Sequence, residues 1–339
     1  MRAITGVCVA IVLSTLVGPA VRGAAGVKTD PVTGQWEAAL KIPSGDVGFA
    51  LDLALRGSDV RGAILNGPDR LELSGGTFDG TTLILRLDYY DGQITARFED
   101  ATQERLVGEY TRLTSRGIGK FEFSAVRRTP PAARPKAAVE KSLDISGDWV
   151  MTLRDAAGKV AEVDEATFEV EALAPGRAAV TGTVIPVSGD YGLLSGTVEG
   201  GKRPRFSMSR FDGIHVTLLT GEVREDGTLA GEIASGPTYR ASWTAVRKGT
   251  TAANAEGLKD PFTLTTVRNP SEPFAFSLPT ADGKTVSLAD ERYRGKVVLV
   301  DIFGTWCPNC HDAAPFLVEL YERYRKDGLE VVSLAYEYT

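Results

Sequence analysis

Cys307, Pro308, Asn309, Cys310 and His311 follow one another and form the densest run of reactive side chains in the sequence. Two cysteines three residues apart can close a disulfide and reopen it by thiol–disulfide exchange. The order Cys-x-x-Cys-His is also that of covalent haem c attachment, and Cys with His can ligate zinc. Zinc needs about four ligands, and the chain offers three cysteines and two histidines, with His215 and His311 far apart in sequence. Haem needs a pocket and a second axial ligand, whereas this pair falls between an apolar strand and a helix that carries Pro315. The redox dithiol is therefore preferred over both.

The flanking segments explain why the pair would be reactive. "GKVVLVDIF" before it is a near-continuous apolar run, the pattern of a strand buried on both faces of a sheet. "HDAAPFLVELYERYRKDG" after it has helical period, with Ala313, Phe316, Leu317, Leu320 and Tyr324 on one stripe and Gly328 as the stop. "LEVVSLAYE" is a second buried strand. The order is strand, cysteine pair, helix, strand, with the dithiol at the helix start. A helix N-terminus presents unpaired N–H groups and partial positive charge, which stabilise a thiolate. Cys307, at the tip, is expected to be the nucleophile, with a pKa below the usual ~8.5. Cys310, on the same side and less exposed, would resolve the mixed disulfide. Pro308 suits the first turn, where its missing N–H has no intrahelical partner to lose.

The stretch "GKVVLVDIFGTWCPNCHDAAPFLVELYERY", with the preceding "DGKTVSLAD" hairpin, resembles the thioredoxin superfamily, most closely its TlpA/ResA-type exported branch. The resemblance covers about the last 70 residues. It implies that Trp306 is the family's tryptophan before the pair, that Pro315 is its helix-kinking proline, and that Asp301 takes the place of the buried carboxylate. Asp301 is then either the base for the Cys310 proton or a satisfied polar core residue. The chain stops at Thr339, after the second strand. The resemblance implies a further helix, an antiparallel strand pair, a closing helix and an X-Pro loop beside the cysteines, so the expectation is an incomplete thioredoxin-like domain with weak or no activity.

The chain has 339 residues, enough for two or three domains, and a net charge of −6 that argues against nucleic acid as a partner. Its first residues read as a signal peptide: Arg2, an apolar run from Ala3 to Val17, then small residues around Gly18–Ala20 and Gly23–Ala25. The alternative is an uncleaved anchor. Cleavage between Val21 and Lys28 would remove Cys8, which lies in the apolar run without a lipobox. An exported chain would then keep only Cys307 and Cys310.

From Pro31 to Lys248 period-two alternation dominates. Phe49, Leu51, Leu53 and Leu55 share one face, as do Phe168, Val170 and Ala172, and Phe121, Phe123 and Ala125. The region repeats. "TGQW" at Thr33 matches "SGDW" at Ser146, and "FSAVRR" at Phe123 matches "WTAVRK" at Trp243. Leu73-Ser74-Gly75 and Tyr90-Asp91-Gly92 recur 121 residues later at Leu194 and Phe211. Two like units that fold separately are expected, joined by the Pro/Ala-rich segment Arg128–Ser142. Gly-x-Trp on a first strand and Ala-Val-Arg on a last one resemble the lipocalin and avidin pattern, in which a Trp plugs an up-and-down barrel and a late Arg packs over it. About eight short strands per unit hide their edges best in a closed barrel, with a sandwich as the alternative. Asp91 and Asp212 are assigned to turns, His215 to a strand, and Trp36 and Trp149 to core plugs.

The expected fold is mainly β with a C-terminal α/β segment. The boundaries are a signal peptide at 1–25, a first barrel-like unit at 31–128, a linker at 129–142, a second unit at 143–248, a linker at 249–260 and a thioredoxin-like domain at 261–339. The expected function is that of an exported, periplasmic thiol–disulfide oxidoreductase, reductase or isomerase. It would act on cysteine-containing exported proteins, be recharged by a thiol-protein electron donor, and use no cofactor beyond the Cys307–Cys310 disulfide. Contact with the membrane is expected only through an uncleaved anchor. The alternative is a ligand- or protein-binding module of tandem β units with a vestigial thioredoxin-like end.

Overall fold

Alternation in the first unit is realised as a ring of strands: β1 (Gly34–Ile42), β2 (Gly45–Arg56), β3 (Asp59–Asn66), β4 (Asp69–Glu72), β5 (Gly75–Phe78), β6 (Thr82–Leu87), β7 (Gly92–Phe98), β8 (Arg105–Thr114) and β9 (Gly117–Arg127). The computed structural model describes residues 30–114, 117–128, 138–187, 189–251, 258, 260–263 and 265–337, so the signal-peptide reading at 1–25, most of the first linker and much of the second lie outside the described residues. Each strand pairs antiparallel with the next, except that β5 pairs with β3 rather than β4, and β9 returns to β1 with Ala38 opposite Ala125. β4 and β5 lie along the same edge of β3, interrupted at Leu73–Ser74, so eight positions close the ring. Inward residues are apolar and buried, Leu51, Leu53, Phe123 and Ala125 among them. Closure as a barrel, rather than a sandwich, leaves no long unpaired edge.

The second unit repeats the plan with β10 (Gly147–Arg154), β11 (Val160–Ala174), β12 (Arg177–Ile185), β13 (Leu194–Glu199), β14 (Arg205–Phe211), β15 (Val216–Val223), β16 (Leu229–Ser235) and β17 (Tyr239–Arg247), a closed eight-stranded barrel. Equivalent positions drift in offset. Trp36 and Trp149 stand 113 apart, Gly62 and Gly182 stand 120 apart, because the β10–β11 turn and β11 itself are longer than their counterparts. Both barrels carry the tryptophan–arginine pair. Trp36 Nε1 donates to Val32 O at 2.9 Å and Trp149 Nε1 to Ile145 O at 3.0 Å. Arg127 lies 4.3 Å over the Trp36 ring and Arg247 4.1 Å over the Trp149 ring. Each guanidinium also donates to the backbone just before its tryptophan, Arg127 to Thr33 O and Arg247 to Ser146 O.

The barrels are not independent bodies. Phe211, Val216, Leu218 and Ala234 of the second are buried in the core cluster of the first. Asn66 and Phe211 exchange two hydrogen bonds at 3.0 Å, Ser209 Oγ donates to Gly48 O at 2.6 Å, and Tyr110 donates to Gly213 O. Val139, at the end of the first linker, packs on the second core, and Glu140 accepts from the Gly176 N–H. From Val32 onward the chain forms one compact unit.

The C-terminal segment begins with a short hairpin, β18 (Ser277–Pro279) and β19 (Thr285–Ser287), turned at Gly283, whose φ of 79° favours glycine. Then come β20 (Val297–Phe303), α1 (Pro308–Tyr324) and β21 (Leu329–Ala335), with β20 and β21 parallel and in register from Val297↔Leu329 to Phe303↔Ala335. This is the anticipated βαβ unit. Burial differs from expectation. Ile302 is 69 % exposed, because among the described residues α1 covers one face of a two-stranded sheet and nothing covers the other. The helical stripe is also shifted. Cys310, Ala314, Leu317, Val318 and Tyr321 line the cleft against the sheet, of which Ala314 and Val318 stay exposed at its rim, while the exposed Ala313, Phe316 and Tyr324 lie outside it. Two adjacent apolar lanes run along α1, and helical period alone does not choose between them.

Candidate active site

Cys307 and Cys310 are joined in a disulfide, with their Cα atoms 5.3 Å apart. Cys307 is the N-cap of α1, and its Sγ accepts the Cys310 N–H at 3.2 Å. Its carbonyl accepts the N–H groups of Cys310 and His311 at 3.1 and 3.2 Å. The sulfur therefore touches the positive end of the helix, where negative charge on it is favoured. Pro308 occupies the first turn and Pro315 the interior, where it leaves the His311 carbonyl without its usual i+4 donor.

The loop before the pair is tied to the strand after the helix. Trp306 Nε1 donates to Tyr336 O at 3.0 Å, and Glu337 accepts from the Thr305 N–H and hydroxyl at 2.9 and 2.8 Å. The Tyr336 N–H donates to Phe303 O at 2.7 Å. His311 Nε2 lies 3.1 Å from the Thr305 carbonyl, which can only accept, so this nitrogen carries the proton. The His311 ring meets Tyr89 and Tyr90 of the first barrel edge-on, at centroid distances of 5.1 and 5.3 Å. The histidine thus docks the dithiol loop on the barrel.

The two sulfurs address different clefts. Cys310 and Asp301 line a cleft of about 350 Å³ between α1 and the sheet. Cys307 faces a larger one of about 620 Å³, whose opposite wall is the mouth of the second barrel, with Glu162, Asp190, Tyr191, His215 and Tyr239. Both cysteines are half-buried, so Cys310 is not the more hidden of the two by any wide margin. Gly189, at φ 149°, permits the close approach of barrel and loop: a Cβ there would stand 2.5 Å from Asn309 Nδ2.

Beside the larger cleft lies a buried ion cluster. Arg210 pairs with Asp69 at 2.6 Å and Asp212 at 3.3 Å, and His215 Nδ1 meets Asp212 at 3.0 Å. Burial pushes the Asp212 carboxyl up, but His215, Arg210 and the His215 N–H outweigh it and hold the pKa at about 2. Asp212 accepts the Ile214 and His215 N–H groups as a turn residue should, and it also anchors this cluster. His215 lies just before β15, outside any strand, at the cleft wall. The sequence reading had no signal for Tyr89 and Tyr90. Asp164 was missed as well, although alternation along β11 puts it on the inward row with Ala166 and Phe168.

Residues 267–338 match the Redoxin family, and with the βαβ order and the dithiol at the helix start they form a thioredoxin-fold segment. Within it, the chain is 36 % identical over 59 residues to the thiol-disulfide oxidoreductase ResA of Bacillus thuringiensis subsp. konkukian, covering 17 % of this chain and 33 % of that protein. It is 39 % identical over 59 residues to ResA of Geobacillus thermodenitrificans, with the same coverage. The chain spans about a third of the length of the curated relatives it matches. A solved structure of a protein of unknown function of the DUF3598 family from Nostoc punctiforme matches over 63 % of this chain and 94 % of its own at 14 % identity, with a TM-score of 0.20.

Proposed function

We propose that this protein is an exported thiol–disulfide oxidoreductase that reduces or isomerises disulfides of other exported proteins through Cys307 and Cys310. The observation that carries this reading is the sulfur of Cys307 capping α1 while bonded to Cys310. In the reduced protein, the Cys307 thiolate attacks one sulfur of a substrate disulfide. The S–S bond breaks, and the departing sulfur leaves as a thiolate that takes a proton from solvent. Cys310 then loses its proton, attacks Cys307 and expels the second substrate thiol. Two electrons pass to the substrate, and the Cys307–Cys310 disulfide forms.

Asp301 lines the same cleft as Cys310, which supports its carboxylate as the acceptor of that proton. Trp306, Pro308 and Pro315 shape the loop and the first turns of α1. A thiol-protein donor outside the cytoplasm would regenerate the dithiol. The test is exchange with a disulfide substrate by the full chain. Cys307→Ser is expected to abolish reaction, and Cys310→Ser to accumulate a mixed disulfide on Cys307. Loss of all adduct in both variants alike would refute the assigned order of attack.

A further inference from the structure

Opposite Cys307, the second barrel presents an acidic mouth that exchange chemistry by itself does not require. Glu162 and Asp190 stand on the cleft wall. Behind that wall, one inward step from Glu162 on β11, lies Asp164, which does not itself line the cleft; it is 1 % exposed, and neither carboxyl oxygen is hydrogen-bonded. Asp164 is within electrostatic reach of Tyr191 and Tyr239, the two rings lining the same cleft. Burial first pushes both phenols up; Tyr239 then raises Tyr191, the hydrogen bond with Tyr191 lowers Tyr239, and Glu162 and Asp164 raise both. The nearby cation, Arg210, is already engaged by Asp69 and Asp212. Asp312 on α1 registers the same field. Its pKa is raised by burial and by Asp69, Asp190 and Asp212, against Arg210.

A buried carboxyl without a partner gives up its proton only at a cost, and a cation held nearby favours its charged form. Among the described residues no three His, Cys, Asp or Glu side chains converge as a metal site does. The cleft suits an extended cation instead, with aromatic faces for its stem and carboxylates for its head. At about 620 Å³ it also has room for the disulfide beside that cation.

We propose that this cleft binds an arginine or lysine side chain next to the target cysteine of the substrate protein, a reading that rests on the exchange function above. Empty, the carboxylates oppose the negative charge on Cys307. A bound cation cancels that opposition, so the substrate that fits also assists the attack.

The test uses the reduced full chain and two peptides, acetyl-Arg-Cys-Arg-amide and its neutral citrulline twin. Each carries its cysteine as a mixed disulfide with 5-thio-2-nitrobenzoate. Attack by Cys307 on the peptide sulfur forms the protein–peptide disulfide and releases the coloured thiolate. The arginine peptide is expected to react about tenfold faster at low salt, with the ratio shrinking as salt rises. The ratio is expected to collapse toward one in Asp164→Asn and in Glu162→Gln, the latter at the exposed rim and so informative even if the former folds poorly. A ratio of one in the unmodified chain, or a ratio surviving both substitutions, overturns the proposal. If neither peptide reacts, it is the exchange reading that fails. The cleft is then judged by calorimetry on Cys307→Ser protein with cysteine-free arginine and citrulline peptides, where equal binding overturns it and preference for arginine upholds it.

Discussion

At the scale of single residues, two aspartates separate chemistry from folding. Asp301 shares its cleft with Cys310, so Asp301→Asn is expected to slow the resolving step more than the first attack. Stopped-flow traces of both steps check this, and equal slowing would return Asp301 to a structural role. Asp164 reports on stability. Burial, then Glu162, raises its pKa to about 7, against an ordinary carboxyl value of ~3.9. Between those values the folded chain holds a proton that the unfolded chain has released, so stability falls as pH rises. The contribution is intact below pH ~4 and is lost as pH passes through about 7, a change on the order of 2–4 kcal/mol. Asp164→Asn is expected to flatten the slope of denaturant midpoint against pH over that window and to raise the midpoint above it. An unchanged slope would show that Asp164 is ionised and paired when folded.

At the scale of elements, the barrels depend on their tryptophan–arginine lids. Arg247 stacks on Trp149 and donates to Ser146 O, tying the last strand to the first. Arg247→Ala is expected to cost about 1–2 kcal/mol, read as a lower urea midpoint. This element was legible in sequence because Gly-x-Trp and Ala-Val-Arg recur at both ends of both units. Strand faces were legible for the same kind of reason: alternation placed Leu51, Leu53, Phe123 and Phe168 inward, and they are buried. The phase of α1 was not, because Phe316 and Leu317 are both apolar, and only the sheet decides which lane it meets. Pro315 is exposed and frees the His311 carbonyl. Pro315→Ala is expected to slow amide hydrogen exchange in the first turns of α1 by closing that bond.

At the scale of the whole molecule, the repeat predicted two like barrels but not their fusion. Phe211, Asn66 and Gly213 look like ordinary strand and turn residues until the two barrels meet. Phe211→Ala is expected to cost about 3–5 kcal/mol, as for a large buried aromatic, and to split one unfolding transition into two. The dithiol itself was plain in the sequence. Its position over the second barrel's mouth was not, since it depends on contacts such as His311 with Tyr89 and Tyr90 across more than 200 residues. The most direct measurement on the central claim is the pH dependence of iodoacetamide labelling in the reduced full chain, mapped to each cysteine. The account predicts that Cys307 labels first, with an apparent pKa below the ordinary ~8.5, because the helix N-terminus stabilises its thiolate. Slow and equal labelling of Cys307 and Cys310, with pKa values at or above ~8.5, would mark an inert pair and contradict it.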